Sequence, residues 1–236
     1  MEINQSFLRY AQFYSGIDGG DIDAEYWFMG IEWSNINDIE SDYDEKQGLW
    51  KKKHFPKTDI KIVTDEGKED ERWKLENAMN KLYQILPHDV LINQIFSKGS
   101  NSLKLNLLPL PFSNTDAHNE EWIKYDYAKK TGFDRFCQYK RMILPYRQKL
   151  FKKLLQKGTK PITIFFFGTT YHEDFLFALT NRKDIKEQPT AKTARTPIFV
   201  YDINKDNIKK IIICRFPTRY HFKADDWEKI YECAML

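Results

Sequence analysis

Two polar side chains in this sequence sit where their surroundings are apolar, and both are types that do chemistry. Glu32 follows the run Tyr26-Trp-Phe-Met-Gly-Ile31, and Asn106 interrupts Leu105-Asn-Leu-Leu-Pro-Leu110. Uninterrupted apolar residues ending on a glycine predict a short buried strand, with Gly30 marking where the backbone leaves the sheet. Ligands of open α/β sheets bind just beyond the carboxyl ends of strands, so Glu32 stands where a reacting carboxylate would stand. The alternative is a glutamate that caps the next helix. Asn106 must find hydrogen-bond partners or destabilise its strand. It is either a satisfied structural amide or one that reads a substrate. A third cluster, Tyr171-His172-Glu173-Asp174, offers metal or acid–base chemistry, but adjacent residues on a helix point different ways, which favours a capping and surface role.

The elements that must position these residues follow from periodicity. Ile3 to Tyr14 reads as a packing helix, and Gly16 to Asp21 as a turn cluster leading into the first strand. A polar stretch with Asp38, Glu40, Asp42, Asp44 and Glu45, then Lys51-Lys-Lys53, predicts an insertion or loop at about residues 35–68 of a single domain spanning 1–236. Helical spacing resumes from Glu69 to Leu86 and stops at Pro87. Leu103 to Leu110 reads as a strand. Phe133 to Lys157 is a basic helical region, kinked or split by Pro145, which could track phosphates or simply be a solvated face. Pro161 to Gly168 is a buried strand, and Thr169 to Asp174 can cap and open a helix through Ala178. Pro197 to Asp202 and Ile208 to Arg215 predict two strands joined by a turn at Asn204 to Asn207. The second runs into the loop Phe216-Pro-Thr-Arg-Tyr-His-Phe222, and Ala224 to Met235 reads as a closing amphipathic helix. Alternating helices and strands predict α/β layering around a mainly parallel sheet.

The 236 residues are enough to bury a core without disulfides or metals, and 42% hydrophobic with 15% aromatic residues are globular values. A net charge of +3 leans only weakly towards acidic partners. The absence of an 18-residue apolar run or a charged-then-apolar leader predicts a cytoplasmic protein without membrane association. Cys137, Cys214 and Cys233 match no metal-site spacing and no disulfide framework, so they read as buried free thiols.

Taken in order, the strand tips resemble the motifs of the uracil-DNA glycosylase superfamily. Its members carry Gly-x-Asp/Asn/Ala-Pro-Gly/Tyr after the first strand; Gly30-Ile31-Glu32-Trp33-Ser34 occupies that place, with Glu32 where the family holds its water-activating residue. Leu105-Asn106-Leu107 is similar to the second motif, an Asn at the end of an apolar strand that reads the flipped base. Phe167-Gly168 resembles the apolar–Gly pair ending the third strand. Phe216-Pro217-Thr218, with Arg219 and Tyr220 after it, is similar to the family's His-Pro-Ser and minor-groove wedge. Trp33 replaces the usual proline. Phe216 replaces the histidine that would stabilise the leaving base, so either the leaving group differs from uracil or another donor, His221 or Arg219, supplies the contact. The branch of the family that binds an iron–sulfur cluster needs four cysteines, and this chain has three.

The resemblance implies a three-layer α/β/α fold with a central, mainly parallel four-stranded sheet. It also implies a monofunctional DNA glycosylase that works as a monomer on DNA, with no cofactor, metal or iron–sulfur cluster. Cleaving an N-glycosidic bond builds positive charge on the sugar and negative charge on the departing base. Glu32 would stabilise the first and orient a water, as carboxylates do in glycoside hydrolysis, and donors at the base would stabilise the second. The target nucleotide must leave the stack to reach them. Lys and Arg would hold flanking phosphates while Arg219 or Tyr220 filled the gap. Phe216 and the long polar loop suit a bulky or modified base, including hypermodified phage cytosine, and so an antiviral defence enzyme. Two other classes stay open: a non-catalytic nucleic-acid-binding module of the same fold, and a small-molecule or nucleoside hydrolase using Glu32, His172, Glu173 and Asp174.

Overall fold

A computed structural model of the chain describes residues 2–31, 42–51, 79–87, 95–96, 99–113, 116–160, 162–180, 186–187, 191–193, 195–205, 207–217 and 220–235. In chain order the elements are α1 (Gln5–Gln12), β1 (Ile17–Gly20), β2 (Tyr26–Gly30), β3 (Tyr43–Asp44), β4 (Leu49–Trp50), β5 (Ser102–Asn106), α2 (His118–Lys124), α3 (Tyr127–Thr131) and α4 (Phe136–Leu155). Then follow β6 (Ile162–Phe167), a 3₁₀ turn at Thr169–Tyr171, α5 (His172–Leu179), β7 (Lys186–Glu187), β8 (Ala191–Lys192), β9 (Pro197–Lys205), β10 (Ile208–Cys214) and α6 (Ala224–Met235). A further helical segment covers residues 79–85.

One mixed sheet organises these elements, in the order β1-β5-β2-β6-β10-β9-β7, with β8 also paired to β9. The four central strands, β5, β2, β6 and β10, run parallel, while β1, β7, β8 and β9 add antiparallel margins. The central four match the expected parallel sheet, but the whole sheet has eight strands rather than four. Every residue of β2, β5 and β6 is buried, as befits strands covered on both faces. Trp27, Met29, Leu103, Leu105, Ile164 and Phe166 face a core shared with α1, α4 and α5. Phe28, Phe165, Phe167 and Ile212 face a second core with residues 79–86 and α6. Helices therefore cover both faces of the sheet.

Margin strand β1 occupies the segment expected to be a turn, and the reason is its glycines. Gly20 has φ +102°, and a Cβ there would lie 2.1 Å from the Ser102 carbonyl oxygen, so only glycine lets β1 approach β5. Asn4 caps α1 by accepting from the Ser6 N–H at 2.9 Å, and its amide donates to the carbonyls of Gly48 and Lys130. Residues 42–51, expected to be loop, hold the β3–β4 hairpin, with Trp50 packed at tilted angles against Phe7, Tyr10 and Tyr43. The rest of the expected 35–68 insertion, and residues 69–78 of the expected helix, lie outside the described residues.

Helix α4 is neither split nor ended by Pro145, which lies inside its 20 residues. The proline sits on the exposed side, where water can satisfy the carbonyl it leaves without an N–H partner. No side chain caps α5, so the Thr169–Asp174 segment opens that helix without capping it. Cys137 is exposed, contrary to expectation, because it lies on the outer side of α4's first turn; Cys214 and Cys233 are buried. Among the described residues, no helix is long and apolar enough to cross a membrane.

Arg147 joins these layers. Fully buried on α4, it donates from Nε to Leu107 O (2.9 Å), from Nη1 to Ser15 O (2.8 Å) and Ala11 O (3.2 Å), and from Nη2 to Asn106 O (2.7 Å). Replacing Arg147 with Met should leave those carbonyls without this donor and cost about 3–5 kcal/mol of stability in urea unfolding. Arg147→Lys, a point charge without the planar fork, should recover only part of that loss.

Candidate functional site

Parallel pairing brings four strand ends to one edge of the sheet. Gly30 of β2 pairs with Asn106 of β5, Met29 with Phe166 of β6, and Phe167 of β6 with Cys214 of β10. Backbone bonds carry the alignment past the strand ends: Leu107 N to Gly30 O at 2.9 Å, Leu108 N to Ile31 O at 2.8 Å, and Gly168 N to Cys214 O at 2.8 Å. Connections from β2 lead to β5 on one side, and those from β6 to β10 on the other. The order reverses between β2 and β6, the crevice where ligands of such sheets bind. Gly168 lies there with φ +141°, and a Cβ would stand 2.6 Å from Ile31 Cδ1. That backbone angle favours glycine, and the missing Cβ leaves room for Ile31 at the tip.

Asn106 is 2% exposed, and its side-chain nitrogen donates to Asp18 Oδ2 at 3.0 Å. The same Asp18 oxygen takes Lys104 Nζ at 3.1 Å, with both side chains of that ion pair largely buried. An ionised aspartate only accepts, so Asp18 fixes which end of the Asn106 amide faces it and turns Oδ1 the other way. Asn106 therefore has the structural partner its burial demands, and its orientation is set from the margin strand. Asp18 escaped the sequence reading because its segment looked like a turn. The signal was there in an apolar–acidic pair, Ile17-Asp18, entering two glycines.

The tip of β6 leads into two aromatic contacts. Tyr171 OH lies 3.2 Å from His118 Nδ1, and His118 stacks on Phe136 with ring centroids 3.9 Å apart. Lys140 Nζ sits 4.9 Å over the Tyr171 ring and 2.7 Å from Asp174 Oδ2. His172 turns elsewhere, its Nε2 2.5 Å from the Tyr201 hydroxyl and its ring against Phe199. The Tyr171-His-Glu-Asp174 cluster thus splays apart, with His172 and Asp174 serving different neighbours. Among the described residues, no group of three or more His, Cys, Asp or Glu gathers to hold a metal ion.

At the tip of β10, Cys214 is a buried thiol whose pKa is pushed up by burial and, less strongly, by Cys233. It stays protonated at neutral pH and is no nucleophile. Arg215 follows, its N–H donating to Thr196 Oγ1 at 2.9 Å and its guanidinium 4.5 Å from the Tyr220 ring centroid. Tyr220 N bonds Phe216 O and Phe222 N bonds Pro217 O, both at 3.3 Å, folding the loop back on itself. His221 takes φ +46° and is exposed. Lys223 N donates to Asp226 Oδ2 at 2.9 Å, and Arg195 pairs with that oxygen at 3.0 Å, anchoring the far end of the loop to α6.

Of the residues nominated from sequence, Gly30, Ile31, Asn106, Gly168, Phe216 and Pro217 lie at or next to this edge, and Tyr220 and His221 close the last loop. Glu32, Trp33, Ser34, Thr218 and Arg219 lie outside the described residues. Comparison of the chain with models of known families, with curated proteins and with solved structures gave no match.

Asp18→Ala should release Asn106 and remove the ion pair from Lys104, costing about 3 kcal/mol in urea unfolding. Asp18→Asn, whose amide oxygen can still accept from Asn106, should cost clearly less.

Proposed function

We propose that this protein is a DNA glycosylase of the uracil-DNA glycosylase type, hydrolysing the N-glycosidic bond of a flipped nucleotide to leave an abasic site. The observation that carries the reading is the alignment of Gly30, Asn106, Gly168 and Arg215–Phe216 along one carboxyl edge of four parallel strands, astride the crevice where strand order reverses. A buried amide held by Asp18 supports a base-reading role for Asn106, since its orientation is set before any base arrives.

In this mechanism Glu32, the second residue after Gly30, stabilises positive charge developing on the sugar and takes a proton from water. That water's oxygen bonds to the sugar carbon as the base leaves with the bonding electrons. Asn106 offers a donor and an acceptor to the base edge. Phe216 brings no donor to the departing base, so a nearby His221 or Arg219 supplies one. The Arg215–Tyr220 stack lends the last loop a cation and an aromatic surface for DNA. A long polar segment after the first tip and an apolar Phe216 suit a bulky or modified base. Hypermodified phage cytosine is such a base, and its removal would serve antiviral defence. The divergence of His172 from Asp174 weighs against a small-molecule hydrolase built on that cluster.

The test is excision from labelled DNA carrying uracil, mismatched thymine, hypoxanthine or hydroxymethylcytosine, and from glucosylated phage DNA, read as alkali-induced breaks at abasic sites. Glu32→Gln should lower excision by at least about a thousandfold while leaving DNA affinity within about threefold, because its loss removes a transition-state interaction. DNA binding without excision of any base would instead identify a non-catalytic module.

A further inference from the structure

Helix α4 contains no Asp or Glu in its 20 residues, yet carries Lys140, Arg141, Arg147, Lys149, Lys152 and Lys153. Two of these have internal duties: Arg147 holds backbone carbonyls, and Lys140 pairs with Asp174. Arg141, Lys149, Lys152 and Lys153 are exposed, and among the described residues none of them forms an ion pair with a carboxylate. At 3.6 residues per turn the four fall on one arc of about 120° and extend about 18 Å along the axis. The whole chain carries a net charge of only +3, so this concentration is segregation rather than general basicity.

We infer that the outer face of α4 docks the phosphate backbone of duplex DNA, apart from the strand-tip edge and without reading sequence. A solvated helix face normally mixes both charge signs, and this one has cations alone. An 18 Å run matches about five base pairs of duplex and is too spread out for a single phosphate group. Membrane attachment needs bulky apolar side chains to insert, and Met142, at 41% exposure, is the large apolar residue most exposed on this helix. The inner side of the same helix grips the Asn106 and Leu107 carbonyls through Arg147, and its last residue, Leu155, bonds Asn207 just before β10, so the row of cations runs away from the strand tips towards the opposite end of the sheet. The choice of DNA over other polyanions rests on the glycosylase reading.

The experiment measures affinity for an unmodified duplex across a salt series. It compares wild type, a variant with Arg141→Gln, Lys149→Gln, Lys152→Gln and Lys153→Gln, and a charge-matched control with Lys124→Gln, Lys192→Gln, Lys209→Gln and Lys229→Gln. The α4 variant should lose at least about tenfold in affinity near 0.1 M salt, and its log–log salt slope should fall by about 3. The control should keep its slope. Equal losses in both variants, or none in the α4 variant, overturn the proposal, as does loss of binding to phosphatidylserine vesicles with duplex binding intact. Lys152→Glu alone carries the comparison if circular dichroism finds the fourfold variant unfolded. Because the duplex holds no target base, the outcome is independent of Glu32. A failed excision test with a reduced slope in the α4 variant removes the glycosylase and keeps the surface, and the reverse pattern does the opposite.

Discussion

A guanidinium sealed away from water fixes the geometry on which the strand tips depend. Arg147 uses four of its five N–H donors on the carbonyls of Ala11, Ser15, Asn106 and Leu107, linking the last turn of α1, the approach to β1 and the exit from β5. Burial pulls its pKa down to about 10, still far enough above neutrality to keep it charged at pH 7. No carboxylate bonds it directly among the described residues; carbonyl dipoles carry the solvation that water would otherwise give. Gly16 sits beneath it, where a Cβ would approach Nη2 to 3.3 Å, and the Gly16 carbonyl accepts from Asn106 N at 2.7 Å. The backbone of Asn106 is thus held at both its N–H and its carbonyl, while Asp18 holds its side chain.

The edge built on this clamp has two unlike ends. On the β5 side lies a buried polar group, Asp18 with Lys104 and Asn106. On the β10 side lies a basic and aromatic loop, in which Arg215 backs Tyr220. Between them the Ile31 side chain rests against Gly168. One end holds an amide against a buried, ion-paired carboxylate, and the other sets a half-buried cation against an aromatic ring at the surface.

What could be read from sequence was whatever burial alone decides. β2, β6 and β10 are apolar runs bounded by glycine or turn residues, and α6 appeared with its bounds intact because its apolar positions repeat with helical period. What escaped depends on a partner distant in the chain. Gly20 looks like a turn residue until Ser102 is set against it. Arg147 looks like one more cation on a basic helix until the carbonyls of two other segments surround it. Tyr43 and Trp50 were lost in a polar stretch because the aromatic cluster that buries them, Phe7 and Tyr10, comes from α1. Pro145 broke a local rule that its solvent-facing position relaxes. That Asn106 needs a hydrogen-bond partner was legible, but that the partner is Asp18 was not.

The strand order also imposes a schedule on the chain. Central β2 is made early, yet both its neighbours, β5 and β6, come much later, and β6 lies well past the midpoint. Loop-closure entropy must be overcome twice before β2 has a partner on each side, so parallel pairing here is intrinsically slow. The β9–β10 hairpin, joined by a short turn, has no such wait. During synthesis the apolar strand Tyr26-Trp-Phe-Met29 therefore stays open on one side until β6 leaves the ribosome.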